Sequence, residues 1–132
     1  MFNIMKTRSA NDKYYRTKAD ELFMKPFRGL PCEVCGKTNG TVAHHNVNKA
    51  RSKALRYDVK NITVLCPSCH VFGNKVCAHA KNVFAVGAYL EWFEWTRPQQ
   101  YKYCKDNQYM QRKYSYRQAL ENLKEGREAW TQ

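Results

Sequence analysis

Two Cys-x-x-Cys pairs dominate the chemistry that this sequence offers. Cys32 and Cys35 form the first pair, Cys66 and Cys69 form the second, and 30 residues lie between the pairs. Two thiolates at this spacing bind one tetrahedral ion, and a second pair completes a closed four-cysteine site of the kind that holds structural Zn²⁺. The alternative, two redox-active or disulfide pairs, lacks the βαβ context of thioredoxin-like motifs. The sequence therefore predicts a structural zinc.

Histidines around the second cysteine pair offer another, open site. His44 and His45 are adjacent, and His70 directly follows the second pair. On a strand the two adjacent side chains point to opposite sides, so one can bind a metal while the other faces a substrate. If a helix begins near Pro67, Asn74 lies one turn after His70 on the same face. The set predicts metal-assisted hydrolysis; the alternative is surface histidines with ordinary hydrogen bonds.

Short strands and helices must position these side chains. Thr41–Val47 and Ile62–Leu65 are predicted strands joined by a polar, basic loop, and a helix is predicted from Pro67 to about Cys77. Flanking helices are predicted from Asn11 or Asp12 onward, over Val83–Thr96, and from Ser115 to about Trp130. The predicted fold is α+β, one compact domain with an N-terminal helical segment at 1–31, a zinc-stapled core at 32–82 and a C-terminal helical extension at 83–132.

The chain is strongly basic, with 23 Lys and Arg against 11 Asp and Glu and a formal net charge of +12. This excess predicts salt-sensitive binding to a polyanion. Lys49, Arg51, Lys53 and Arg56 lie in the loop between the predicted strands, where they are expected to contact nucleic-acid phosphates; alternatively, they only solvate the loop. No apolar run reaches the length of a signal peptide or a membrane span, so we expect a cytoplasmic protein without a membrane partner.

The order His44-His45, Asn61, Cys-x-x-Cys-His70 resembles the HNH nuclease superfamily, the ββα-metal nucleases, with a zinc-knuckle embellishment. The resemblance covers about residues 32–75 and implies a ββα-metal core stapled by the four-cysteine zinc site. It further implies that His44 and His70 bind the catalytic metal. His45 is then the general base that activates water, and Asn61 orients this base through its side chain.

Some members of the superfamily place a third metal ligand one helical turn after the last histidine, which is Asn74 in this chain. Cys77 and His79 lie further along and are weaker candidates. The expected activity is metal-dependent DNA cleavage with one strand nicked per active site, so that paired cuts need a homodimer. Mg²⁺ or Mn²⁺ are the usual working ions for this chemistry, although two imidazoles also accept Zn²⁺ or Ni²⁺.

Residues 54–74 also resemble phage recombination nucleases of the NinG/Rap type, which act on branched DNA; this resemblance implies a host-cell cytoplasmic location. Two other functions compete with the nuclease. One is a non-catalytic zinc module that binds DNA or RNA and needs only the cysteines and the charge. The other is a zinc-stapled adaptor that docks on a larger phage DNA-processing enzyme through Phe84–Trp95.

Overall fold

The computed structural model describes the backbone of residues 2–132 and the side chains of residues 11–132. It divides into two compact units, one formed by Met1–Pro26 with Gln111–Gln132 and the other by Phe27–Met110. Residues 83–110 thus lie in the same unit as the core. The division into segments 1–31, 32–82 and 83–132 stays a prediction about domain organisation.

A two-stranded antiparallel sheet lies in the Phe27–Met110 unit. Strand β1 spans Val42–His45 and strand β2 spans Ile62–Leu65, with His44 opposite Thr63 and His45 opposite Ile62. All four residues of β2 are buried, as suits an apolar, β-branched run. Strand β1 ends two residues before its predicted end. The next two backbone N–H groups donate to the backbone and side-chain oxygens of Asn61 instead.

The helix predicted after β2 is much shorter than expected. One turn of π-helix spans Ser68–Phe72 and stops there, so the prediction of a helix to Cys77 is wrong. Gly73 ends the turn by donating its N–H to the carbonyl of Ser68 at 2.8 Å. A Cβ atom at position 73 would lie 2.2 Å from that carbonyl oxygen, so the close approach requires glycine.

Two helices complete this unit. Helix α2 spans Val83–Thr96, which confirms the predicted bounds, and the side chain of Asn82 caps its first turn. Helix α3 spans Pro98–Asn107 and begins with proline, where no N–H is needed. Buried side chains of both helices pack with strand β2 and the two cysteine pairs in one apolar cluster. Its members are Cys32, Leu65, Cys66, Cys69, Tyr89 and Phe93 of α2, and Cys104 of α3. A short 3₁₀ turn, Val59–Asn61, precedes β2.

The other unit is helical. Helix α1 spans Phe2–Met24, so it begins before the predicted cap at Asn11 or Asp12, and a 3₁₀ turn at Lys25–Phe27 follows it. Helix α4 spans Tyr116–Lys124 and packs on α1. Its predicted cap is confirmed, because the Ser115 hydroxyl accepts the N–H of Gln118 at 3.0 Å.

Helix α4 ends well before the predicted Trp130. Gly126, with φ of +74°, reverses the chain, and the buried amide of Asn122 then donates to the carbonyls of Ala129 and Thr131. The α+β class predicted from the sequence is confirmed by this combination of helices and a small antiparallel sheet. Among the helices of the described residues, none has both the length and the apolar character needed to cross a bilayer.

Candidate active site and metal centres

The four predicted cysteines converge. The sulfur atoms of Cys32, Cys35, Cys66 and Cys69 all lie within 4.8 Å of one another, and those of Cys35 and Cys66 are 3.5 Å apart. A tetrahedral zinc with Zn–S bonds of about 2.3 Å separates its sulfurs by about 3.8 Å. The cluster therefore fits one zinc ion with only small adjustments, and it is a candidate structural zinc site.

The first cysteine pair is docked on the edge of β2 that β1 leaves unpaired. Glu33, between the two cysteines, donates its N–H to the carbonyl of Val64 and accepts the Val64 N–H on its carboxylate at 2.6 Å. The second carboxylate oxygen accepts from Arg97 at 3.3 Å. The backbone N–H and the side chain of Glu33 thus bond to β2 as a neighbouring strand would, and they fix the first cysteine pair against the sheet.

The thiols of the cluster differ electrostatically. Burial raises the pKa of Cys32, but hydrogen bonds from the backbone N–H groups of Cys35, Cys66 and Val34 together outweigh it and lower that pKa to about 7. For Cys69, burial and then the neighbouring thiols raise the pKa. The chain alone prepares only part of the tetrathiolate, because a bound cation must supply the remaining stabilisation of the anionic sulfurs.

A second cluster consists of three histidines. The ligand atoms of His44, His70 and His79 lie within 4.8 Å of one another. The ring centroid of His44 is 5.3 Å from that of His70 and 4.7 Å from that of His79. Among the described side chains, none offers a hydrogen-bond partner to the buried Nδ1 atom of His44. Since buried polar atoms are nearly always paired, this nitrogen and its two neighbours fit a divalent cation.

The environment of the cluster favours the neutral form of two of its imidazoles, those of His44 and His70. Burial, followed by repulsion from His79 and His70, lowers the pKa of His44 to about 2. Burial, followed by His79, also lowers the pKa of His70. A neutral imidazole has the lone pair that a metal needs, so His44 and His70 can bind a cation at neutral pH without first losing protons.

His79 reaches this cluster through a pairing of two loop segments. The N–H of Ala78 donates to the carbonyl of Cys69 at 2.9 Å, and the N–H of His79 donates to the carbonyl of His70 at 2.8 Å. Asn74 lies in the exposed loop between the segments, and it does not share a helical face with His70, because the π-helical turn has already ended. The sequence offered His79 only as a weaker candidate, since this pairing leaves no periodic signal.

His45 faces a different partner from His44. Its Nε2 atom lies 2.8 Å from the backbone carbonyl of Arg56. A carbonyl only accepts, so Nε2 carries a hydrogen, and the neutral ring keeps its lone pair on Nδ1. This hydrogen bond fixes the tautomer in which Nδ1 is the proton-accepting nitrogen.

Asn61 is completely buried and holds the loop that leads to this carbonyl. Its side-chain oxygen accepts from the N–H of Val47 at 2.7 Å, and its amide donates to the carbonyls of Val47 and Leu55 at 2.9 and 3.1 Å. Leu55 directly precedes Arg56, whose carbonyl contacts His45. Asn61 therefore holds the backbone next to the carbonyl that contacts His45, and its own side chain is bonded to Val47 and Leu55.

Tyr89 on α2 supports the site, and sequence reasoning did not single it out. Its hydroxyl donates to the side chain of Asn46 at 2.6 Å, and its ring lies 5.5 Å from that of His44, edge to face. Asn46 in turn donates to Thr63 at 2.9 Å. Any buried tyrosine hydroxyl needs a hydrogen-bond partner, so a tyrosine in an apolar helical stretch does not by itself indicate a role at a functional site.

The four basic residues of the loop do not share one environment. Lys49, Arg51 and Lys53 are exposed, whereas Arg56 is only 8% exposed. The guanidinium of Arg51 lies 5.3 Å from the ring centroid of Tyr109 and donates to its hydroxyl at 3.2 Å. Lys49, Arg51 and Lys53 thus carry their charges at the surface of the loop, whereas Arg56 lies within it.

Residues 32–72 match the family model of the HNH endonucleases. This match confirms the resemblance drawn from the sequence, and it covers all four clustered cysteines together with His44, His45, Asn61 and His70; His79 lies outside it. No curated protein and no solved structure matches the chain. An HNH segment with a four-cysteine cluster indicates a metal-binding nuclease or nucleic-acid-binding function.

Proposed function

We propose that this protein is a metal-dependent DNA endonuclease that hydrolyses phosphodiester bonds and nicks one strand at a time. The observation that carries the proposal is the three-histidine cluster with its unpartnered buried nitrogen, beside a separate histidine whose tautomer is fixed by a carbonyl. A binding module needs neither feature. The HNH match supports the same reaction.

The proposed roles follow from the contacts of each histidine. His45 accepts a proton from water on Nδ1, while its Nε2–H stays bonded to the carbonyl of Arg56. His44, His70 and His79 hold the divalent cation, which when bound stabilises the charge of the phosphate and the departing oxygen. Three imidazoles favour Ni²⁺ or Zn²⁺, whereas Mn²⁺ and Mg²⁺ prefer oxygen ligands.

DNA binding is assigned to the exposed cations of the loop. Lys49, Arg51 and Lys53 neutralise phosphates on either side of the cut, which is consistent with the net charge of +12. Replacing one of these three residues by alanine removes one phosphate contact. In a plot of the logarithm of the DNA-binding constant against the logarithm of the salt concentration, the slope is then expected to be shallower by about one. We propose that Arg56 shapes the loop and does not contact phosphates.

The test is the conversion of supercoiled plasmid to open circles in Mn²⁺, Mg²⁺, Zn²⁺ or EDTA, with zinc content checked after each treatment. We expect divalent-dependent nicking by the wild-type protein and its loss in His45→Ala, with zinc content and DNA affinity unchanged. Branched DNA belongs in the same substrate panel because of the resemblance to phage recombination nucleases. Retained DNA binding without breakage of any substrate would favour the non-catalytic module.

One active site per chain makes a nick the elementary product. A double-strand break then needs a second copy of the chain on the opposite strand. The order of the products distinguishes these cases: open circles that accumulate before linear DNA indicate independent nicks, whereas linear DNA that appears at once indicates a paired assembly.

A further inference from the structure

A cavity of about 320 Å³ opens beside the histidine cluster. His44, His45 and His79 line it together with residues of helices α2 and α3 and of the loops that follow β1 and α3. Hydrolysis of a phosphodiester requires the histidines and a cation, but it does not require an adjoining cavity. The volume lies at the lower end of the range of about 300–1,000 Å³ for small-molecule sites.

The wall of the cavity is largely apolar and aromatic. Tyr89, Phe93 and Tyr101 contribute rings, with Phe93 and Tyr101 in edge-to-face contact at 5.5 Å, and Val86 and Leu90 contribute aliphatic surface. Such a wall binds a flat apolar face better than a hydrated charged group.

The rim of the cavity is polar and basic. Asn48, Lys105 and Gln108 lie on it, and the exposed pair of Arg51 and Tyr109 joins the loop after β1 to the chain after α3. A ligand for this site therefore has a flat apolar body, polar edges and an attached anion. A nucleobase on its sugar-phosphate backbone has all three.

We infer that the cavity receives one unpaired nucleobase next to the scissile phosphate. This inference rests on the proposed function and names its substrate class, which is DNA with an unpaired or extruded nucleotide. A base that is paired and stacked in a duplex cannot enter, because the cavity has room for one base only. The base must first leave the duplex. Stacking on aromatic side chains is the usual source of affinity for unpaired bases.

The experiment compares three DNA duplexes of one sequence, namely a fully paired duplex, one with a single bulged nucleotide, and one with an abasic residue at the bulge. Each is assayed for cleavage by the wild-type protein and for binding by His45→Ala. We expect the bulged duplex to be cleaved and bound at least about fivefold better than the other two, which is the lower limit for stacking of one base.

Leu90→Trp fills the cavity from its rim, where Leu90 is 49% exposed and tolerates a larger side chain. We expect this variant to lose the preference for the bulge but to keep its activity on paired DNA. The matched control is Val83→Trp, on the exposed start of the same helix and outside the cavity wall, which keeps the preference.

Two outcomes separate the inference from the proposed function. Equal cleavage and equal binding of the three duplexes by active protein overturn the cavity assignment and leave the nuclease intact. A binding preference for the bulge that Leu90→Trp abolishes, without cleavage of any duplex by the wild-type protein, supports the cavity and overturns the nuclease.

Discussion

Replacing Asn61 with alanine tests whether this side chain secures the loop that carries the partner of His45. Asn61 is completely buried and makes three hydrogen bonds to the backbone of Val47 and Leu55. Each bond contributes about 1 kcal/mol net, so Asn61→Ala is expected to lower the free energy of unfolding by about 3 kcal/mol. This corresponds to roughly a 100-fold change in the unfolding equilibrium.

The measurement is urea unfolding of zinc-loaded protein, followed by tryptophan fluorescence. Trp130→Phe serves as the background, because Trp92 and Trp95 then report only the unit that contains Asn61. The matched control is Asn107→Ala, which removes a single side-chain bond, to the carbonyl of Tyr103, and is expected to cost about 1 kcal/mol.

The result also bears on catalysis. Below the urea midpoint, where Asn61→Ala is still folded, plasmid nicking is expected to fall because the carbonyl of Arg56 no longer holds Nε2 of His45 in place. Equal destabilisation by Asn61→Ala and Asn107→Ala would refute the proposed securing of the loop. Full nicking activity in folded Asn61→Ala would refute its link to the base.

Three other predictions concern the two candidate metal sites. His79→Ala is expected to weaken Mn²⁺ binding at least about tenfold by calorimetry, whereas Asn74→Ala leaves it within about twofold; the reverse order would restore Asn74 as the third ligand. Elemental analysis is expected to find one equivalent of zinc fewer in Cys32→Ser than in the wild-type protein, and no loss in Cys77→Ala, which lies outside the cysteine cluster. When the histidine cluster holds no metal, the pKa of His44 is lower in the folded protein than in the unfolded chain, so the unfolded chain binds this proton at a higher pH. The contribution of His44 to the free energy of unfolding is therefore fully present above about pH 6.5 and is lost as the pH falls towards 2. An NMR titration of the His44 ring between about pH 5 and 8 is expected to show no midpoint.

The parts of the fold that could be predicted from the sequence are those with local signals. The zinc knuckles follow from cysteine spacing, strand β2 from its β-branched run, and helix α2 from its apolar length and the Arg97-Pro98 stop. The cap at Ser115 follows from the Ser-x-x-Gln pattern. In each case the residues that decide the structure lie within a few positions of one another.

The third histidine illustrates why the rest could not be predicted. Helical periodicity from Pro67 suggested Asn74, because residues four apart share a face only while the helix continues. The approach of Gly73 to the carbonyl of Ser68 ends that periodicity after one turn. His79 is then delivered by backbone pairing with His70, a contact between segments nine residues apart that no repeat encodes.

Long-range hydrogen bonds explain why the helices after the HNH match matter to the site. From α3, Tyr103 donates to Asp58 at 2.6 Å, and the thiol of Cys104 lies against the carbonyl of Lys60 and the side chain of Asn61. These contacts hold the 3₁₀ turn that places Asn61. Residues 98–107 therefore support the part of the site where we propose that His45 acts as the base.

Helix α2 supports the metal side in the same way, because Tyr89 packs on His44 and bonds to the residue after His45. The matched stretch of residues 32–72 thus contains most of the chemical groups but lacks His79 and both supporting helices. A strand pair as short as this one has little stability by itself. The Phe27–Met110 unit accordingly contains the whole candidate site, with the cysteine cluster at one end of the sheet and His44 and His45 at the other.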